Sequence, residues 1–364
     1  MQGLIEFPNS PALYPTYCEV ASGKFSPLIK REEASDTIVS CQNPLGQNII
    51  TCKHPYRDEF VQEVNGLALN SKLKTQIEDL PFYIPILDLG SSNLGNIPPF
   101  LPVVGITLSD IVSQGILYKA GRYHEQNAIH FRSDILSRES FKNKKVILFN
   151  TGTDTLIEWL WYKRHESKLF ETIRDMGFWA AGGINFSVIG GECAFAQALN
   201  QKRSLFSASL IEQNDILAIP HVYAITPYHI DRWVEWFIAN PSIKLFTINC
   251  QLQKSINDIA QIITTIKVIL RKLPFLHVLL QGFPIDNVNQ FGSFIERIHL
   301  TDKIAVKFAQ MRREILTRPS TGKLYNIQGS KKGLPELITN NINNRYFFLE
   351  ALRSKILQRD FVKS

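Results

Sequence analysis

The sequence predicts an α/β chain of the (β/α)8 TIM-barrel type. Two observations carry this. From about residue 102, apolar runs of strand length alternate with segments of helical period. Such alternation implies parallel strands, because each crossover uses a helix to bring the chain back. Eight units of this kind over roughly 200 residues match a compact barrel. An open doubly wound sheet is the alternative arrangement of the same elements.

The candidate strands are PVVGIT (102–107), AIHF (128–131), VILFNT (146–151), FWAAGGINFS (178–187), ILAIPHVYA (216–224), KLFTIN (244–249), HVLLQG (277–282) and RIHLT (297–301). Between them, residues 155–176 carry Leu156, Leu160, Leu169 and Ile173 on one stripe and predict a single helix. A second helix is predicted over 227–239, with Thr226 as N-cap, Pro227 at the first helical position and Ile230, Trp233, Val234, Phe237 and Ile238 on one face. A third, over 256–271, follows Ser255 with Asp258 at capping-box spacing. Four of the five tryptophans, Trp159, Trp161, Trp233 and Trp236, sit at core-compatible helical positions.

Residues 1–100 read as an irregular, β-rich extension, with short strands at 37–40 and 48–52 and a weak helix over 57–67. The barrel is expected over 101–306 and a basic C-terminal segment with a terminal helix over 307–364.

The chain has 364 residues, 45% of them apolar, enough for a substantial core. The start holds Glu6 and the prolines Pro8, Pro11 and Pro15 and lacks a signal-peptide pattern. No apolar stretch approaches the roughly 20 residues a membrane helix takes. A cytoplasmic protein is expected, with no membrane partner. The five cysteines, an odd number, do not make a disulfide framework. Cys18, Cys41, Cys52 and His54 leave open a zinc site or plain thiols, since they lack a paired C-x-x-C knuckle. No cofactor is expected.

Two glycine pairs frame Gly182–Gly191 without forming a dinucleotide or P-loop fingerprint. Gly182-Gly183 lies within a strand, where small residues permit close packing. Gly190-Gly191 precedes a helix and reads as a turn or as a phosphate-binding helix start. Lys202-Arg203 beyond it either places a cation over that phosphate or marks a helix C-terminus.

The strand ends carry the functional signal. The runs finish on Asn150, Asn185, His221, Asn249, Gln281 and His299, followed by Ser187, Tyr223 and Gln251. In a barrel these converge on the C-terminal face, where active sites sit. Amides and imidazoles read a base or sugar edge through paired donors and acceptors. His221 is the first general acid–base candidate, with Asp154 and Asp302 as carboxylates. Each also has a structural reading: His221 as a hydrogen-bonded core residue, Asp154 as a helix cap.

Net charge is +7. Residues 307–364 hold 12 Lys and Arg against 4 Asp and Glu, so the rest is close to neutral. Arg312, Arg313, Arg318, Lys323, Lys331, Lys332, Arg345 and Arg353 alternate with Tyr325, Tyr346, Phe347 and Phe348. Basic and aromatic groups together suit phosphate contact and base stacking. RNA or DNA is the expected partner, with residues 318–333 as a flexible basic loop and a helix over 344–358.

The segments ILFNTGTD, GGINFS, KRSL, IPHVYAIT, FTINCQ and HVLLQGFP, within 145–300, resemble a group of bacterial barrel proteins from mobile elements and genome-defence neighbourhoods. That group is similar to the tRNA-guanine transglycosylase-like barrels. The resemblance implies a component of a nucleic-acid assembly, with other protein subunits as partners, or a base- or glycosyl-transferase or hydrolase. Enzymes of the broader class use an Asp nucleophile, and many carry a zinc site after the barrel. No cysteine follows Cys250 here. A small-molecule sugar-processing enzyme is the third reading.

Overall fold

The computed structural model describes residues 61–89, 97–113, 132, 136, 141–165, 167–188, 194–253, 255–318 and 321–361. The expected strands at 37–40, 48–52 and 128–131 lie outside these residues, as do Gly190-Gly191, Cys18, Cys41, Cys52 and His54.

Eight strands run parallel in two four-stranded sheets. One sheet orders β2 (Val103–Thr107), β3 (Lys145–Phe149), β4 (Ala180–Gly182) and β5 (Leu217–Ile219). The other orders β1 (Tyr83–Pro85), β8 (Ile298–Asp302), β7 (His277–Gln281) and β6 (Leu245–Asn249). The sheet edges meet on both sides. A parallel bridge joins Ile86 to Gly105, with Leu87 N–H donating to the Gly105 carbonyl at 2.8 Å. A second joins His221 to Thr247, with Val222 N–H donating to the Thr247 carbonyl at 2.9 Å.

Alternating strand residues feed two cores, as expected of parallel sheets buried on both faces. Ile84, Ile147, Phe149, Ile219, Leu245 and Leu279 meet in one cluster. Their neighbours Val104, Leu148, Phe246, Val278 and Leu300 pack outward against the helices. Gly105 faces Phe149: a Cβ at Gly105 would stand 2.3 Å from that ring.

Helices follow the strands: α1 (Leu108–Ser113), α2 (Asp154–Tyr162), α3 (Leu169–Asp175), α4 (Ala194–Gln213), α5 (Pro227–Ala239) and α6 (Ile256–Lys272). A 3-10 segment over Ile285–Arg297 connects β7 to β8. The single helix expected over 155–176 is two, because Lys168 takes a left-handed backbone (φ 46°) between them. Thr226 caps α5, accepting from His229 N–H at 3.1 Å, and Ser255 caps α6 the same way from Asp258. On α5 the buried face takes Trp236 in place of Ile238, which is 62% exposed.

The sheets draw their first strand from the segment expected as an extension. YIP at 83–85 pairs with β8 in register Tyr83 to Leu300. Ahead of it, residues 67–76 strap across α4 and α5. Arg232 Nη2 donates to the Leu67 carbonyl (2.5 Å) and Trp236 Nε1 to that of Ser71 (2.8 Å). The Glu212 carboxylate accepts from the N–H groups of Lys74 and Thr75. An extended segment without a ladder has its backbone groups satisfied by side chains in this way.

The C-terminal segment packs onto this body. After α7 (Ile304–Gln310), β9 (Arg313–Thr317) and β10 (Leu324–Gln328) form an antiparallel hairpin where a loop was expected. The final helix, α8 (Leu334–Phe361), starts ten residues earlier than its sequence expectation over 344–358. It buries Leu349 and Ile356, while Phe347 stays 59% exposed.

Candidate functional site

Five predicted residues gather where β3, β4 and β5 end. Asp154 starts α2, and its Oδ1 accepts the Ser187 hydroxyl at 2.6 Å. Asn185 N–H donates to the Asn150 carbonyl at 3.0 Å, while the Asn150 amide donates to the Gly182 carbonyl at 2.6 Å. The Asn185 side chain lies beside the Tyr223 phenol. Burial, with Cys250 and Asp154 nearby, raises the Tyr223 pKa, so the phenol stays protonated. Helix α4 braces the floor: Asn200 donates to the Ser187 carbonyl (2.7 Å) and Gln201 to that of Tyr223 (3.0 Å). That helix approaches closely because residue 183 is glycine; a Cβ there would meet the Ser204 carbonyl at 2.7 Å.

Asn249 and Gln281 face each other in register at the ends of β6 and β7. The Gln281 amide donates to Thr247 Oγ1 at 2.8 Å. Asn249 Oδ1 accepts from the N–H of Gln251, whose own side chain is exposed. Asn150 Oδ1, Asn185 Oδ1, Gln281 Oε1 and Thr301 Oγ1 are buried and have no hydrogen-bond partner among the described residues. Buried polar atoms are ordinarily paired. Three of these are carbonyl-type acceptors, closed off from solvent beneath the strand ends.

Other predicted residues are placed elsewhere or committed. His221 is fully buried, stacked on Tyr223 at 5.2 Å, and its Nε2 accepts the Asn249 N–H at 3.2 Å. Burial pushes its pKa down to about 3. The ring is neutral and its lone pair is used, so His221 supports the backbone instead of moving a proton. Asp302 forms a buried ion pair with Arg345 and accepts the Ile304 N–H at 2.8 Å. That carboxylate is structural. His299 sits near the beginning of β8, not its end, and meets His277 at the opposite pole.

The basic residues divide by burial. Arg345 is 3% exposed and belongs to the core, contrary to its expected contact with nucleic acid. Arg353 is half-buried over the Phe82 ring at 5.3 Å. Lys332 pairs with Glu314, and Arg313 lies half-buried near Phe308. Arg312, Arg318, Lys323 and Lys331 are exposed on or beside the hairpin, with Arg318 5.6 Å from the Tyr325 ring. Lys202 is buried inside α4, bonded to the Asn70 side chain, its pKa lowered to about 8 by burial and by Arg232. Arg203 lies over Phe186 at 4.0 Å. The Gly190-Gly191 helix start that these cations were expected to serve lies outside the described residues.

The hairpin stands at the pole where the strands end. Arg345 meets the last residue of β8, so α8 before it runs on past the strand ends by about 16 Å at 1.5 Å per residue. The hairpin lies along that part. Ile315 N–H donates to Asn341 Oδ1 (2.7 Å), and the Asn341 amide donates to the carbonyls of Arg313 (2.9 Å) and Ala305 (3.1 Å). Sequence reading missed Asn341, whose fully buried side chain ties the hairpin to α7 and α8. A polar residue inside an Asn-rich helix start gives no local signal of that role.

Comparison with family models and with curated proteins finds no match. Among solved structures the chain is similar to a 4-hydroxy-2-oxoglutarate aldolase/2-deydro-3-deoxyphosphogluconate aldolase from TTHB1. The TM-score is 0.37 at 8% identity, over 73% of this chain and 94% of that one. No helix among the described residues is long and apolar enough to cross a membrane.

Proposed function

We propose that the two sheets are halves of one closed (β/α)8 barrel, and that the protein binds single-stranded nucleic acid at the barrel's C-terminal face. Closure is supported by the two bridges that join the sheet edges and by the shared inner cluster. The observation that carries the binding reading is the basic hairpin fixed by Asn341 at the pole of the unpartnered amide oxygens. Arg312, Arg318, Lys323 and Lys331 contact phosphates, and Tyr325 offers a ring for stacking. Ser187 and Gln251, which keep solvent-accessible surface at the strand ends, hydrogen-bond a base edge or sugar hydroxyls.

Fluorescence anisotropy of labelled single-stranded RNA and DNA over a salt series tests this. The whole chain is compared with an Arg318→Gln/Lys323→Gln/Lys331→Gln variant. The expected result is steep salt dependence, with the slope reduced by about 0.7 for each phosphate that the variant no longer neutralises. Equal binding by both proteins, or none by either, overturns the reading.

Asp154 favours a second reading, base or glycosyl transfer, because its carboxylate stands beside Ser187 and close to Tyr223. Asp154→Asn then abolishes turnover and leaves binding intact.

A further inference from the structure

The opposite pole holds a cleft of about 490 Å³, within the range of small-molecule sites. It opens where β6, β7 and β8 begin, against residues 77–82. Its lining mixes apolar side chains, Leu80, Phe82 and Phe275, with polar and charged ones, and its exposed rim carries Glu78, Asp79 and Glu296.

Two imidazoles form one side of the cleft in a fixed order. His299 Nδ1–H donates to the Pro81 carbonyl at 3.0 Å, so its Nε2 is the acceptor for His277 Nδ1–H at 3.1 Å. That chain leaves the lone pair on His277 Nε2, for which no described residue supplies a hydrogen bond. Holding one ring nitrogen this way orients the other for a ligand. Arg353 Nε is buried and unpartnered among the described residues; its Nη1 lies 3.9 Å from Glu350. Lys244, the other cation, lies 4.5 Å from the Phe275 ring centre.

We infer that this cleft binds a small carboxylic acid with an apolar body and a hydrogen-bond donor beside the carboxylate. The carboxylate meets the Arg353 guanidinium, with Lys244 adding positive charge. The donor, a hydroxyl or an ammonium, meets His277 Nε2. The apolar body lies against Phe82 and Phe275. A cation alone would gain nothing from Arg353, whose one carboxylate neighbour among the described residues is Glu350 at 3.9 Å, and a bare anion would leave the His277 lone pair and the apolar side chains of the lining unanswered.

Calorimetric titration of the full chain with four probes tests this: phenyllactate, phenylalanine, 3-phenylpropanoate and phenethylamine. Phenyllactate, phenylalanine or both bind. Phenylpropanoate, lacking the donor, binds at least fivefold more weakly, and phenethylamine does not bind. The NMR signals of His277 and His299 shift on addition, and those of His221 and His229 do not. Arg353→Gln weakens binding at least tenfold; His277→Phe, at a half-exposed position, removes the preference for a donor. Thermal unfolding confirms that each variant is folded. The inference is overturned if neither donor-bearing acid binds, if phenethylamine binds as well as they do, or if folded His277→Phe keeps the preference.

Discussion

Arg345 of α8 closes on Asp302 at the end of β8, with Nη2 2.5 Å and Nε 3.0 Å from one carboxylate oxygen. Both side chains are under 8% exposed. Tyr83 stands beside the pair, and burial together with Asp302 raises its pKa well above the ordinary value. Removing one partner strands a buried charge. Arg345→Met is expected to cost about 3–5 kcal/mol, and Asp302→Leu with Arg345→Met to recover most of it. Urea unfolding of the single and double variants measures this; a loss below about 1 kcal/mol in the single would contradict it.

Three buried histidines make the fold acid-sensitive. Burial holds His221 and His229 down to about 3 and His299 to about 4. The unfolded chain therefore takes up these protons first, starting near pH 6.5. Their contribution is intact above that pH and is lost as pH falls toward 4 for His299 and toward 3 for His221 and His229, by at most about 1.4 kcal/mol per unit for each histidine. Denaturant unfolding at pH 7.5, 6 and 5 reads the slope. His229→Gln should flatten it by about one proton, and an unchanged slope in that variant would count against the account.

His221→Ala is expected to act on stability. It leaves the buried Asn249 N–H without its acceptor, which costs about 1–3 kcal/mol before the cavity is counted. Thermal and chemical unfolding should both register the loss. A variant that keeps full stability yet loses ligand binding or turnover would instead give the imidazole a chemical role.

Gly105 and Phe149 fill one space between them. Gly105→Ala places a methyl group 2.3 Å from the Phe149 ring and is expected to cost about 1–3 kcal/mol through forced repacking. Adding Phe149→Leu should return part of that loss. A double-mutant cycle with no coupling between the two positions would mean the ring moves aside freely.

The local pattern decided much of this protein. The strands β2 to β8, and the capped starts of α5 and α6, follow from apolar runs, helical period and cap residues that act over four to eight positions. The polar strand ends were also legible, and Asp154, Asn185, Ser187 and Tyr223 do come together. Tertiary structure decided the rest. YIP at 83–85 is too short to show a period, and it becomes a strand because β8 offers it an edge. His299 reads like the other strand-end residues, but register places it with His277 at the opposite pole. Arg345 reads like its basic neighbours, but a helix turn aims it at Asp302. Sequence pattern records a residue's own preference for strand, helix or water. Which pole it reaches and which charge it meets depend on register and on neighbours distant in the chain, and those are fixed only when the sheets and helices pack.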